Sequence, residues 1–412
     1  MYFEIRYIIQ MNLLVCGWTC IPHSYSIVNV HQIVHLLKNF PDMRVYVLEE
    51  AYYKQEWQEK ADPTFSMYPL EYREYMSKVI PWKGQVIDLV YNITFPYNID
   101  MLSFHGDIIK KLPKCVFYTS EFCQLDVNYF KLTLGVVSDN TIEDHIRNNP
   151  SLFFTSPSKW SQVGMRNYAV PDERNKVITH GVDTKVFYRT SNKRRMKVRE
   201  YYGVKPDELL LTNIGAMTRN KGITSILETI HLLLQSGKAC KLFLKGTGDL
   251  YETRGFLKQY LDEFKERGFT DAQLTRLTDA IIFTDATLSF SALNDVYNAT
   301  DLYMSPYIAE GFNMVPLEVL AAGTRVLLPS TGSTVDYSEK IGGESVITVP
   351  STVSTGRMKQ NLIRVSDILD VMTNDLTRTS DTEYKRVRDV LERELSWDVV
   401  AQRLKEYFDV MV

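Results

Sequence analysis

Seven residues separate Glu310 from Glu318 in the run Ser305-Pro306-Tyr307-Ile308-Ala309-Glu310-Gly311-Phe312-Asn313-Met314-Val315-Pro316-Leu317-Glu318. The pattern reads as a strand, Leu302–Ser305, that ends at a proline turn, followed by a helix starting near Asn313–Val315 and stopping at Gly323. Pro316 fits only in the first helical turn, where its missing N–H breaks no hydrogen bond. The free amides of such a turn, aided by the helix dipole, form a site for an anion. Glu310 lies in the loop before the helix and Glu318 one turn into it. Two carboxylates at different depths can accept hydrogen bonds from different hydroxyls of one ligand. Taken alone, the pair reads more simply as Glu310 capping the helix and Glu318 facing solvent.

A second element shifts that balance. Strand Leu209–Ile214 runs into Gly215-Ala216-Met217-Thr218-Arg219-Asn220-Lys221-Gly222 and a new helix. This sets two cations, Arg219 and Lys221, at the carboxyl end of a strand, where open α/β sheets bind ligands. Two cations and two helix starts converging there would hold a pyrophosphate. Lys245-Gly246-Thr247-Gly248 follows another strand, Leu242–Leu244, but a lone Gly-x-Gly is weak evidence.

The rest of the chain supplies the frame for these residues. Short β-rich runs (Leu13–Cys16, Val45–Leu48, Cys115–Tyr118, Leu152–Thr155, Ile281–Thr284, Arg325–Leu328) alternate with amphipathic segments such as Val28–Asn39 and Ile223–Gln235. This predicts an α/β protein with parallel sheets covered by helices on both faces. The 412 residues suit two or three domains, and the apolar content suffices for two cores. The polar, basic stretch 188–207 is the expected boundary, giving an N-terminal domain at 1–190 and a C-terminal domain at 191–394. The helix at 395–412 is expected to cross back onto the first domain. Residues 351–360 read as a Ser/Thr-rich surface loop, and Lys193–Arg199 as a solvated helix face. Residues before Met11 read as an extension onto the first strand.

A net charge of −3 gives no field that would gather nucleic acid or anionic lipid. Five cysteines, an odd number in a long chain, argue against a disulfide framework, and Cys16 and Cys20 lack a partner pair with zinc-like spacing. The apolar N-terminus is interrupted by Glu4, Arg6, Gln10 and Asn12, so it does not read as a membrane span. A cytoplasmic protein is expected, with peripheral contact to a membrane that carries its substrate compatible with the sequence.

The Glu310-Gly311-Phe312…Glu318 segment resembles glycosyltransferase family 4, whose members are retaining enzymes with two Rossmann-like parallel-sheet domains facing across a cleft, the fold called GT-B. Further resemblance lies in Ser289–Ala299, Ala321-Ala322-Gly323-Thr324-Arg325-Val326, His180-Gly181-Val182-Asp183 with Phe187, and Ser396-Trp397. It covers residues 150–412 well and the first 150 loosely. The resemblance implies that Glu310 sits by the hydroxyls of a donor sugar and that Glu318 holds the nucleotide ribose. Gly311, Phe312, Asn313, Met314 and Val315 would meet sugar and phosphates, and Lys221 the diphosphate. Gly17 would let the first domain approach the donor. The nucleotide base would stack near Phe283-Thr284-Asp285-Ala286, which makes Thr284 a donor-side residue.

Two departures stand out. The family's arginine after the first C-domain strand is Ala216 here, and Arg219 is the expected replacement for its charge. The family's histidine after the strand matching Cys115–Tyr118 gives way to Ser120-Glu121-Phe122, with Glu121 or His105 as its stand-in. On the acceptor side, Pro22–Ser26 reads as a polar mouth containing His23 and Ser24.

The sequence contains no Asp-x-Asp metal pair, and no metal cofactor is expected. The implied reaction transfers a hexose from a nucleotide-diphosphate sugar to a glycan or other hydroxyl, with retention by front-face substitution. Glu310, Lys221 and Arg219 would form the reacting set. The donor is read as GDP-mannose, with a UDP-hexose as alternative. A nucleotide-sugar epimerase and a degenerate nucleotide-sugar binding protein are the competing functions.

Overall fold

The computed structural model describes residues 11–100, 112–132, 138–372, 376 and 378–412. His105 and the residues before Met11 lie outside these.

Two wholly parallel sheets form from short, mostly apolar strands of two to six residues. The first contains β1 (Asn12–Gly17), β2 (Arg44–Glu49), β3 (Ile80–Pro81), β4 (Leu89–Ile93), β5 (Lys114–Phe117), β6 (Leu152–Ser156) and β7 (Asn175–Val177), in the order β3-β2-β1-β4-β5-β6-β7. The second contains β8 (Leu209–Ile214), β9 (Cys240–Lys245), β10 (Ile281–Thr284), β11 (Leu302–Met304), β12 (Arg325–Pro329) and β13 (Val346–Val349), in the order β10-β9-β8-β11-β12-β13. Both orders reverse direction once, between β1 and β4 and between β8 and β11. Loops leaving the carboxyl ends at such a reversal diverge and leave a crevice. The two crevices face each other.

Five helices position the site: α1 (Ser24–Asn39), α2 (Ile223–Gln235), α3 (Phe290–Ala299), α4 (Val315–Ala321) and α5 (Trp397–Met411). α2 occupies the predicted range. α4 begins at Val315 with Pro316 in its first turn and is stopped by Gly323 at φ +78°.

The chain crosses between the halves twice, and the crossings lie side by side. Val182 pairs with Ser396 as a parallel bridge, and Val182 N–H donates to the Leu395 carbonyl at 2.8 Å. A Cβ on Gly181 would fall 2.6 Å from the Trp397 nitrogen, so no larger residue fits between the two strands. α5 then packs against α1. The Trp397 ring stacks on His31 at 4.8 Å, and Asp398 meets His35 at 2.7 Å and Lys38 at 3.0 Å. One apolar core consequently runs from Leu13 and Val15 through Phe187 and Phe312 to Leu404 and Phe408.

Residues 188–207 are not an open linker. They hold a helix, Asn192–Tyr201, whose Arg195 and Arg199 both grip Asp301, with Arg199 Nη1 at 2.9 Å from the carboxylate. Lys193, Arg194, Met196 and Lys197 are exposed, as expected of a solvated face, but Arg199 is 2% exposed and departs from it. Within 351–360 lies one strand of a short antiparallel ribbon, Thr352–Val353 paired with Asn361–Leu362. The five cysteines are free and four are buried. Among the described residues, no helix is long and apolar enough to cross a membrane.

Candidate functional site

The facing crevices enclose a cleft of about 590 Å³. Its chemistry follows from the loops at the sheet reversals. After β8 the chain makes a tight turn, Arg219–Lys221, closed by Gly222 at φ +72°. A Cβ on Gly222 would lie 2.1 Å from the Pro306 carbonyl oxygen, so only glycine lets this turn rest on the loop after β11. The contact is sealed by Asn220. Its carbonyl accepts from the Ile308 and Ala309 amides at 2.7 and 3.2 Å, and its side-chain amide donates to the Ala309 carbonyl at 3.0 Å.

This places Lys221 Nζ 2.6 Å from Glu310 Oε1. A third charge arrives from the first half. Glu121, on the loop after β5, accepts from Asn220 Nδ2 at 3.1 Å, and its own carbonyl accepts from Trp160 Nε1 at 2.7 Å. Burial pulls against the Lys221 ammonium, but the Glu310 and Glu121 carboxylates outweigh it and raise its pKa. Burial pushes Glu121 up to about 7; Lys221 opposes this and Glu310 adds to it. The trio is a carboxylate pair sharing one cation, with a proton easily taken up by Glu121.

Deeper in the cleft, Glu318 is 6% exposed and accepts from the Tyr297 hydroxyl at 2.6 Å. Neither the cap role for Glu310 nor the solvent-facing role for Glu318 is seen. Burial lifts the Glu318 carboxyl from 4.5 to about 7, and the Tyr297 hydrogen bond offsets only part of this. The folded chain therefore holds a proton that the unfolded chain has released between those values. Stability from this group is full below pH 4.5 and is lost as pH rises through about 7. Glu318→Gln keeps the acceptor for Tyr297 and removes the titration. Between pH 5 and 8 the wild type should lose roughly 3 kcal/mol more unfolding free energy than the variant. Denaturant melts at the two pH values measure this, and parallel losses in both proteins would contradict it.

The loop between the two glutamates is fixed from both halves. The Gly311 carbonyl accepts from Ser158 Oγ at 2.6 Å, and a Cβ on Gly311 would meet Thr119 Cβ at 2.9 Å. Asn313 takes a left-handed φ of +66°, which turns its amide onto Ser305 Oγ at 2.8 Å. Gly311, Phe312, Asn313, Met314 and Val315 all line the cleft, as do Glu310, Lys221 and Glu318.

On the opposite wall stand His23, Ser24 and Glu121. His23 Nδ1 caps α1 by accepting from the Tyr25 amide at 3.2 Å, which leaves the proton on Nε2, 3.2 Å from the Tyr251 hydroxyl of the other half. Burial and then the Lys221 charge hold this imidazole down at about 4, so it is neutral. His23 thus has a structural role as cap and bridge.

Three residues singled out in the sequence do not line the cleft. Arg219 turns outward to an exposed ion pair with Glu263, because neighbouring side chains in a tight turn diverge. It does not replace the charge missing at Ala216, which itself lines the cleft. Gly17 ends β1 beneath the surface, where a Cβ would lie 2.4 Å from the Ile93 carbonyl oxygen, so its requirement is packing. Thr284 is occupied at the end of β10, its carbonyl accepting from the Gly246 amide at 2.8 Å, while Thr287 and Leu288 reach the cleft.

The sequence reading missed Asn220, Tyr297 and Lys245. Burial brings the Lys245 ammonium down to about 8, against the pull of Asp249 and Asp285. It lines the cleft as a second cation on the same wall as Lys221. Its position just before the Gly-x-Gly, at the end of β9, was the available signal.

Comparison with known proteins gives the following. Residues 208–367 match the family described as Glycosyl transferases group 1. The lipopolysaccharide core biosynthesis mannosyltransferase LpsB of Rhizobium meliloti is 27% identical over 220 residues, 50% of this chain and 58% of that protein. An uncharacterized glycosyltransferase of Methanocaldococcus jannaschii is 25% identical over 170 residues, 41% of this chain and 40% of that one. The chain thus aligns with only about half the length of the curated relatives it matches. Among solved structures, Anabaena HepE in complex with UDP-glucose superposes with a TM-score of 0.65 at 15% identity, covering 97% of this chain and 100% of that one. Sucrose-phosphate synthase from Thermosynechococcus elongatus gives 0.63 at 13%, covering 97% and 99%. The two-sheet GT-B architecture is common to all three folds.

Proposed function

We propose that this chain, whose residues 208–367 match the family described as Glycosyl transferases group 1, is a retaining hexosyltransferase that uses a nucleotide-diphosphate sugar. The observation that carries this reading is the Lys221–Glu310 pair at 2.6 Å, set at the mouth of α4 with Glu318 behind it and Glu121 across the seam. The diphosphate would lie against Lys221, Lys245 and the start of α4. Glu310 would accept from hydroxyls of the sugar and Glu318 from those of the ribose. Charge developing on the leaving oxygen is then met by fixed cations and dipoles, the arrangement that lowers barriers most.

In this scheme the bond from the anomeric carbon to the phosphate oxygen breaks, and a bond from that carbon to the acceptor oxygen forms on the same face. The acceptor's proton passes to the departing phosphate oxygen. The role of the protein is to hold the two oxygens and the carbon in register. Arg219, turned out to Glu263, has no part in it. The donor is read as GDP-mannose. Support comes from the Gly311-Phe312-Asn313-Met314 segment and from a mannosyltransferase among the relatives. A UDP-hexose is the second reading, supported by the fold shared with a protein solved with UDP-glucose. The acceptor is a hydroxyl, of a glycan or of another molecule. The odd number of cysteines in a long chain supports reading the reaction as cytoplasmic.

The test is a panel of GDP-mannose, UDP-glucose, UDP-N-acetylglucosamine and ADP-glucose. Binding is read by calorimetry and turnover as nucleoside diphosphate released with saccharide acceptors present. One donor should bind and release its diphosphate only with an acceptor. An isomerised nucleotide sugar would replace this reading with epimerisation, and binding without release in every combination would replace it with a binding module.

A further inference from the structure

The first-half wall of the cleft carries aromatic rings in two tiers. The inner tier packs the halves together. Trp57 sits 5.7 Å from Trp18 and 5.9 Å from Tyr251, and its indole N–H donates to the Leu250 carbonyl at 3.2 Å. Trp18 and Trp57 are 1% and 3% exposed, so their faces are fully used by the fold.

The outer tier is different. Phe95 stands between Tyr53 and Tyr129, with ring centroids 5.2 and 5.4 Å away. Tyr53 is 55% exposed and Tyr129 36% exposed. All three line the same cleft as Glu310 and Lys221. One end of this strip is tied to the inner tier, Tyr53 lying 6.2 Å from Trp57. The other end approaches the reacting charges: after burial, the Glu121 carboxylate is the next influence raising the Tyr129 phenol. Lys54 lines the rim beside Tyr53.

We propose that the strip Tyr53–Phe95–Tyr129 is the acceptor subsite and that a pyranose ring seats on it, so that the chain extends an existing saccharide. This rests on the glycosyl-transfer reading above and adds the chemical class of the acceptor. A pyranose has one face of C–H groups, which packs on an aromatic ring, and a rim of hydroxyls. The strip offers the complement, flat apolar rings bordered by two phenol hydroxyls and an ammonium. An alkyl chain would cover the rings but leave that polar border desolvated and unpaired, at a cost. Aromatic surface exposed inside a cleft, next to a few convergent polar groups, is the ordinary form of a small-molecule site.

The full chain, saturated with the nucleoside diphosphate it binds, is titrated with mannobiose, maltose, cellobiose and lactose, with decanol as the alkyl probe. Saturation-transfer NMR and calorimetry report binding. At least one disaccharide should bind, and the double variant Tyr53→Ala, Tyr129→Ala should weaken it about tenfold or more. Phe95→Leu keeps apolar volume but removes the ring face, and should weaken it about threefold or more. Nucleoside diphosphate affinity should stay within about twofold in these variants. Disaccharide binding indifferent to all three substitutions, preference for decanol, or no disaccharide bound at all overturns the subsite. Failure of the unaltered protein to bind any nucleoside diphosphate overturns the donor reading instead.

Discussion

Lys221→Ala should weaken nucleoside diphosphate binding by about 100-fold, measured by calorimetry with GDP and UDP. In the empty cleft its ammonium is paired at 2.6 Å with Glu310 and held charged by Glu310 and Glu121 together. Removing the cation has two consequences. The diphosphate loses a charge-assisted hydrogen bond, and the two carboxylates left behind repel it. Arg219 cannot compensate, because its guanidinium is engaged with Glu263 outside the cleft. Lys245 compensates only in part, since burial leaves its ammonium at about 8, close to losing its proton. The Lys221 side chain is 22% exposed, so cleft water reaches the vacated position and the fold should survive the change. An unchanged dissociation constant would remove Lys221 from the phosphates.

That cation was legible through the family resemblance, because a lysine between a strand end and a helix start is by itself usually surface decoration. The same resemblance placed Glu310 and Glu318, while continuous apolar runs such as Leu13–Cys16 marked buried strands. Two strands of the first sheet that carry a buried asparagine were not legible. β4 carries Asn92 next to its last residue, and its side-chain amide is satisfied by donating to the Cys16 carbonyl at 3.3 Å. β7 is three residues long and begins with a buried asparagine, held by Tyr118. Periodicity cannot reveal a polar residue whose partner is supplied by a neighbouring strand.

The same limit applies to the site. Arg219 and Lys221 are two positions apart, yet the turn between them sends one outward and the other inward. Arg199 read as a solvated charge because Asp301, which it grips, is about 100 residues further on. The seam contacts Asn220–Glu121, His23–Tyr251 and Trp57–Leu250 join residues separated by 99, 228 and 193 positions. Such pairs exist only once both sheets have formed and their crevices face each other, so they belong to the fold and not to any local pattern.

Glu310→Gln should lower turnover by about 100-fold or more while leaving nucleoside diphosphate affinity unchanged or slightly tighter. The carboxylate is 8% exposed and its backbone is clamped on both sides. Ala309 is tied to Asn220, and Gly311 is held by Ser158 and pressed against Thr119. Its position is therefore set before any ligand arrives. In the donor complex two demands fall on it: it accepts from sugar hydroxyls, and it supplies negative charge beside an anomeric carbon that becomes positive as the phosphate leaves. Glutamine preserves volume and one acceptor oxygen but not the charge. A nucleoside diphosphate has no sugar and makes neither demand, while its phosphates gain a Lys221 ammonium no longer neutralised at 2.6 Å. Steady-state kinetics and calorimetry on one preparation thus separate the roles. Equal losses in turnover and in nucleotide affinity would mean that Glu310 only maintains the shape of the cleft, and full turnover would take it out of the reaction.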